Sequence, residues 1–157
     1  MTQASQTIPA GATEEAILTF GRQVLAAQPF SVLLGAWLHA LSPLGVVELH
    51  LPLTEKLLQQ HGFAHGGVVS YMADNALTYA GGIVLGGMAV TSEFKINYLR
   101  PATGKCLIAR AQPVHTGKSQ AVCNCQVFDV QENGAEKLCA VAQGTIASLP
   151  SREKSPS

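Results

Sequence analysis

Apolar residues run almost unbroken from Val68 to Leu85, and just beyond them the pattern changes to alternation. A helix that is apolar nearly all round must be buried, so residues 66–85 are expected to form one long central helix, ended by Gly81-Gly82 or Gly86-Gly87. In the alternating stretch Thr91, Glu93, Lys95 and Asn97 point one way and Ser92, Phe94, Ile96 and Tyr98 the other, which predicts a strand stopped at Arg100-Pro101. Three more strands are expected at Lys105 to Val114, Ser119 to Gln131 and Lys137 to Ser148, with Thr116-Gly117-Lys118 and Asn133-Gly134 as the turns between them. Upstream, Thr13 can cap a helix with Glu14 and Glu15 in its first turn and Ile17, Phe20 and Val24 on one stripe, ending near Gln28-Pro29. Leu33 to Ser42 and Val46 to Pro52 read as a hairpin turned by Pro43-Leu44-Gly45, and Thr54 to Gln60 as a helical turn or loop.

The order is helix, two strands, long helix, four strands. It predicts an α+β fold in which an antiparallel sheet of about six strands wraps its apolar face around the one long central helix, with an extra N-terminal helix. A single domain is expected over residues 13–150, between a flexible N-terminus (1–12) and a flexible C-terminal tail (151–157).

Composition narrows the function. Hydrophobic residues make up 47% of the chain and charged residues only 13%, against roughly 25% charged in an average soluble domain. So little charge leaves a monomer's surface poorly covered and points to an oligomer. Ten basic and ten acidic residues cancel without clustering, which argues against nucleic acid as a partner. The longest weakly polar run, Ala76 to Val90, is short of the ~20 residues needed to span a bilayer. Met1 to Gly11 lacks the basic and apolar regions of a signal peptide. A cytoplasmic protein that does not enter the membrane is expected. Cys106, Cys123, Cys125 and Cys139 lack metal-ligand spacing and read as free thiols.

One carboxylate stands out. Between Lys56 and Glu93 the only formal charge is Asp74, inside the apolar helix, and an isolated carboxylate there is costly unless paired or functional. Ser70, Asp74 and Thr78 recur every four residues and form a narrow polar stripe without the Lys, Glu or Arg of a solvent-facing edge. This stripe is read as the lining of a groove. His61 and His65 have helical metal-pair spacing, but Gly62 and the loop around it count against a metal, and none is expected.

The run Gln59-x-x-Gly62-x-x-His65-Gly66-Gly67, the acidic residue nine positions after the histidine, and Asn97-Tyr98-Leu99-Arg100-Pro101-Ala102 resemble the hotdog-fold acyl-CoA thioesterases of the phenylacetate-degradation type. The similarity runs from about Pro29 to Ser148. It implies hydrolysis of a thioester to free acid and coenzyme A, with Asp74 as general base or nucleophile. The Gly66 amide at the helix start would polarise the carbonyl, Gln59 would orient carbonyl or water, and His65 would hold the loop or contact the thioester. Asp74 departs from members that carry Glu at this point. Glycines there allow close approach to free backbone N–H groups, and one oxyanion donor contributes about 3 kcal/mol to the transition state. Gly67, Ser70, Thr78 and Thr91 are candidate substrate-binding residues, and Arg100, Lys105 and Lys118 are candidate phosphate partners. No cofactor is implied beyond the coenzyme A of the substrate.

Helix geometry adds a constraint. Gly66 and Asp74 are eight residues apart, a rise of about 12 Å, too far for both to act on one carbonyl carbon. If both are catalytic, they belong to different subunits, and a homodimer or homotetramer with sites at the dimer interface follows. The resemblance implies the same arrangement. Two other readings remain: a non-catalytic acyl-CoA-binding module using the same groove, and a hotdog dehydratase or hydratase.

Overall fold

The computed structural model describes residues 11–150. The expected tail 151–157, and all but the last two residues of the expected segment 1–12, lie outside the described residues. Helix α1 (Glu14–Ala26) and a short α2 (Pro29–Leu34) lead into β1 (Trp37–Leu41) and β2 (Val47–Pro52). A 3-10 turn at Glu55–Leu57 precedes the long helix α3 (Gly66–Val84), and β3 (Ala89–Tyr98), β4 (Cys106–Thr116), β5 (Gln120–Val130) and β6 (Glu136–Ser148) follow. The six strands form one antiparallel sheet in the order β1-β2-β4-β5-β6-β3, with α3 against its inner face. This is the sheet-around-a-helix arrangement expected from the element order. No helix among the described residues is long and apolar enough to cross a membrane.

The core lies between α3 and the sheet. Met72, Ala73, Ala76, Leu77 and Ala80 are fully buried, facing Leu49 and Leu51 of β2, Leu107 and Ala109 of β4, Val127 of β5 and Ile146 of β6. Small residues allow the close approach. A Cβ at Gly81 would lie 2.4 Å from the Cβ of Ile146, and one at Gly144 would lie 2.6 Å from the Glu93 carbonyl oxygen.

Thr13 caps α1 as expected, its hydroxyl accepting from the Ala16 N–H at 3.3 Å. The buried stripe of α1 is Ile17, Gly21 and Leu25, while Phe20 and Val24 are half-buried at its margin. The Tyr79 hydroxyl donates to the Gly21 carbonyl at 2.8 Å, locking α1 to α3.

Two local expectations are overturned. Leu33 is helical rather than the start of a strand, because Pro29 at the first helical position nucleates α2 and Gly35, at φ 79°, ends it. The second correction concerns β3. Thr91 pairs with Ile146 and Glu93 with Thr145, so Ser92 is an extra residue in the strand. This bulge puts Thr91 on the helix side with Phe94 and Ile96, not with Glu93, Lys95 and Asn97.

Burial pushes the thiols of Cys123 and Cys139 up to about 11 and that of Cys125 up to about 12. Of the four thiols, only half-buried Cys106 is expected to react with Ellman's reagent at pH 8 in the folded protein, and all four in guanidinium chloride. Gly81→Ala is expected to lower stability by about 3 kcal/mol in urea titrations, since its methyl group has no room against Ile146.

Candidate active site

The N-terminus of α3 is held in place by three contacts. The Ala64 N–H donates to the Ala102 carbonyl at 2.9 Å and the His65 N–H to the Leu57 carbonyl at 2.8 Å. His65 is the N-cap, and its Nδ1 accepts from the Gly67 N–H at 2.9 Å. That bond leaves Nε2 as the protonated nitrogen of the neutral ring. Gly67 therefore spends its N–H on the cap. The Gly66 N–H meets no acceptor among the described residues and sits at the positive end of the helix dipole.

Gly66 opens onto a groove lined also by Gln59, Phe63, Val69, Tyr98 and Arg100. Gln59 is half-buried, and its backbone closes the 59–63 loop by accepting from the Gly62 N–H at 2.9 Å and donating to the Phe63 carbonyl at 2.8 Å. The Tyr98 hydroxyl donates to the Gly66 carbonyl at 3.1 Å.

Asp74 lies two turns further along α3. The Thr91 hydroxyl donates to its Oδ1 at 2.6 Å, and the Thr78 hydroxyl donates to its backbone carbonyl at 2.8 Å. The two hydroxyl oxygens are 2.8 Å apart. With the Thr91 proton committed to Asp74 Oδ1, the one Thr78 proton is shared between the Asp74 carbonyl and the Thr91 oxygen. One carboxylate oxygen is thus fixed by a short charge-assisted bond, and Oδ2 has no donor among the described residues. Ser70, one turn before, is half-buried on the same face.

Beyond Thr78 a cavity of ≈190 Å³ runs between α1, α3 and the start of β3, walled by Phe20, Val24, Tyr79, Ile83, Met88 and Ala89. Asn75 and Gln28 add amide groups to this apolar chamber. Both belong to a network in which Ser31 donates to Gln28 at 2.6 Å, Tyr71 donates to Ser31 at 2.7 Å, and Asn75 donates to Tyr71 at 3.0 Å.

The structure thus groups the expected residues into two sets. Gln59, His65, Gly66 and Arg100 gather at the N-terminal end of α3, while Asp74, Thr78 and Thr91 gather along its flank. The basic candidates divide as well. Arg100 and Lys105 lie at one end of the sheet, and exposed Lys118 lies in the turn at the other, a strand length of roughly 35 Å away.

Two residues that shape the site carry no signal in the sequence strong enough to single them out. Tyr98 was placed on its face but not against Gly66. Asp129 is buried on the inner face of β5, and its carboxylate accepts from the N–H groups of Thr103 and Gly104, at 3.0 and 2.8 Å, and from the Gln131 side chain at 2.6 Å. It pins the 101–104 loop, whose Ala102 carbonyl in turn holds Ala64 ahead of the helix. The available signal was a carboxylate in phase with the inward-facing Ala121, Cys123, Cys125 and Val127.

Comparison with known proteins identifies the fold and family. The family model described as thioesterase superfamily matches residues 61–136. A 1,4-dihydroxy-2-naphthoyl-CoA hydrolase from Listeria monocytogenes is 30% identical over 105 residues, 66% of this chain and 82% of that protein. A thioesterase family protein from Silicibacter pomeroyi superposes with a TM-score of 0.73 at 35% identity, over 80% of this chain and 93% of that one. The phenylacetic acid degradation protein PaaI from Thermus thermophilus, in mutant form, gives a TM-score of 0.68 at 32% identity, over 78% of this chain and 100% of that one.

Asp129→Ala is expected to cost about 3 kcal/mol, because it leaves buried N–H groups without an acceptor. Hydrogen exchange at the Ala64 amide should accelerate with it, as the loop that holds Ala64 loosens.

Proposed function

We propose, for a chain that belongs to the thioesterase superfamily and is a thioester hydrolase of the PaaI-like hotdog type, that it hydrolyses an acyl-CoA at a site shared between two copies. The observation that carries this is the separation of the two half-sites along α3. The free Gly66 N–H and the Thr91-anchored Asp74 carboxylate are both prepared for chemistry, yet they are two helical turns apart.

The exposed edge supports a dimer. β3 pairs with β6 on one side only, and no strand among the described residues covers its other side. Val90, Tyr98 and Leu99, at 44%, 54% and 50% exposure, leave apolar area along that edge. A twofold axis across β3 would exchange the two ends of the sheet. It would bring the N-terminal end of the partner subunit's α3 toward Asp74, and Lys118 toward the end that carries Arg100 and Lys105. One symmetry operation thus unites both the catalytic residues and the phosphate partners.

In this reading Asp74 Oδ2 takes a proton from a water, and the hydroxide attacks the thioester carbonyl carbon. The oxyanion that forms accepts from the Gly66 N–H of the partner subunit. The C–S bond then breaks and the sulfur leaves as thiolate, since a thiol of ordinary pKa, near 8.5, needs no strong acid. Gln59 orients the carbonyl, His65 keeps the helix start in shape, and no cofactor enters the step. The acyl group occupies the ≈190 Å³ chamber beyond Thr78. A cavity of about 150 Å³ holds benzene, so one aromatic ring or a short alkyl chain fits. The four free thiols are in keeping with the cytoplasmic location we assign.

Asp74→Ala is expected to lower kcat on the best substrate of an acyl-CoA panel by about 10³-fold or more. Gly66→Pro, which removes the N–H at a helical position that accepts proline, should be similarly inactive. Mixing the two variants under exchange conditions should restore activity, because a mixed dimer contains one intact site. Full activity of Asp74→Ala would refute the role of Asp74, and failure of the mixed dimer would refute the shared site.

A further inference from the structure

We infer that His39, Glu48 and His50, on the outer face of the sheet, form a binding site for a divalent transition-metal cation of the zinc class. The three residues are brought together by the fold. β1 and β2 pair Leu38 with Leu49 and Ala40 with Glu48, which leaves His39 as an extra residue in β1. The alternation of exposed Trp37 and His39 with buried Leu38 puts His39 on the face that carries Glu48 and His50, and the bulge shifts only the residues after it. Glu48 and His50 alternate with the buried Val47, Leu49 and Leu51, so the cluster faces away from α3 and the Asp74 site.

The ligand atoms converge on one carboxylate oxygen. Glu48 Oε1 lies 2.6 Å from His50 Nε2 and 3.9 Å from His39 Nε2, and all three atoms lie within 4.8 Å of one another. Metal–ligand bonds of about 2.0–2.1 Å in a tetrahedral site put neighbouring ligand atoms about 3.3 Å apart. The two Glu48 distances bracket that value, so small side-chain rotations make the site without moving a strand.

Neighbouring groups already orient the donors. Arg110 Nε donates to the other Glu48 oxygen at 2.8 Å, so Oε1 is left to its hydrogen bond with His50 Nε2, whose place a cation between the two atoms would take, and the rest of the guanidinium binds Glu136. Two carboxylates face one guanidinium, so with neutral imidazoles the cluster is net negative and attracts a cation. The His39 ring stacks on His50 at 4.6 Å and the Trp37 ring packs on His50 at 5.0 Å, fixing the imidazole planes. His39 is 58% exposed, which leaves an open side for a water ligand and for entry of the ion. Two imidazole nitrogens and one carboxylate favour zinc-like ions over Mg²⁺ or Ca²⁺.

The test is titration of the chelator-treated, full-length protein with ZnCl2 by calorimetry, and with CoCl2 by absorbance. We expect one equivalent per chain, a rise in Tm, and a cobalt spectrum with d–d bands but no thiolate charge transfer. His39→Gln, at an exposed position that folding does not need, should weaken binding by at least about tenfold, as should His50→Gln, while His115→Gln should not. Hydrolase activity should be the same with and without the ion. Absence of binding, binding unchanged in both His39→Gln and His50→Gln, or a thiolate charge-transfer band would overturn the site.

Discussion

The fold depends on how closely α3 approaches the sheet. At Gly81 the helix has no room for a methyl group against Ile146, and at Gly144 the sheet has none against β3. Contacts this tight allow the helix one rotation about its axis. With Met72, Ala73, Ala76, Leu77 and Ala80 committed inward, the stripe of Ser70, Asp74 and Thr78 is turned toward the edge strand. Asp74 is half-buried because its position follows from the packing of its neighbours. The low charge content fits the same picture, since a chain that packs this closely and leaves an apolar edge has few places for solvated side chains.

The N-terminus and the flank of α3 are prepared by different means. At the N-terminus the backbone is fixed by polar contacts: the His65 cap, the Ala102 carbonyl, and the buried Asp129 that holds the loop behind it. Along the flank a side chain is fixed, by hydroxyls from its own helix and from β3. Each arrangement is complete within one chain, and neither needs a ligand to form. Such preorganisation is what electrostatic stabilisation of a transition state requires.

Much of this was legible in the sequence. The apolar circumference of residues 66–84 and the alternation after it gave the central helix and the later strands, because burial on all sides and burial on one side leave different periods. Asp74 stood out for the same reason. What escaped detection depends on pairing between distant segments. Thr91 reaches Asp74 only because β3 carries one residue more than β6 opposite it, and periodicity within a strand cannot register a partner's count. The nearness of His39 to Glu48 and His50 is out of reach of periodicity too, because it rests on how β1 pairs with β2. α2 was missed because six residues, Pro29–Leu34, are too few to display a helical period. Asp129 was visible as a carboxylate on an apolar face, but its partners are backbone amides, which no sequence pattern marks.

The bulge at Ser92 also bears on how this strand tolerates change. Its side chain is exposed and makes no hydrogen bond among the described residues, so many residue types can stand there. Even its removal is accommodated by the ladder. Thr91 opposite Ile146 and Glu93 opposite Thr145 are already consecutive partners on β6, so deletion of Ser92 would take out the bulge and leave Thr91 on the inner face beside Asp74. What the strand must preserve here is a pairing, Thr91 opposite Ile146, rather than a count of residues or an identity.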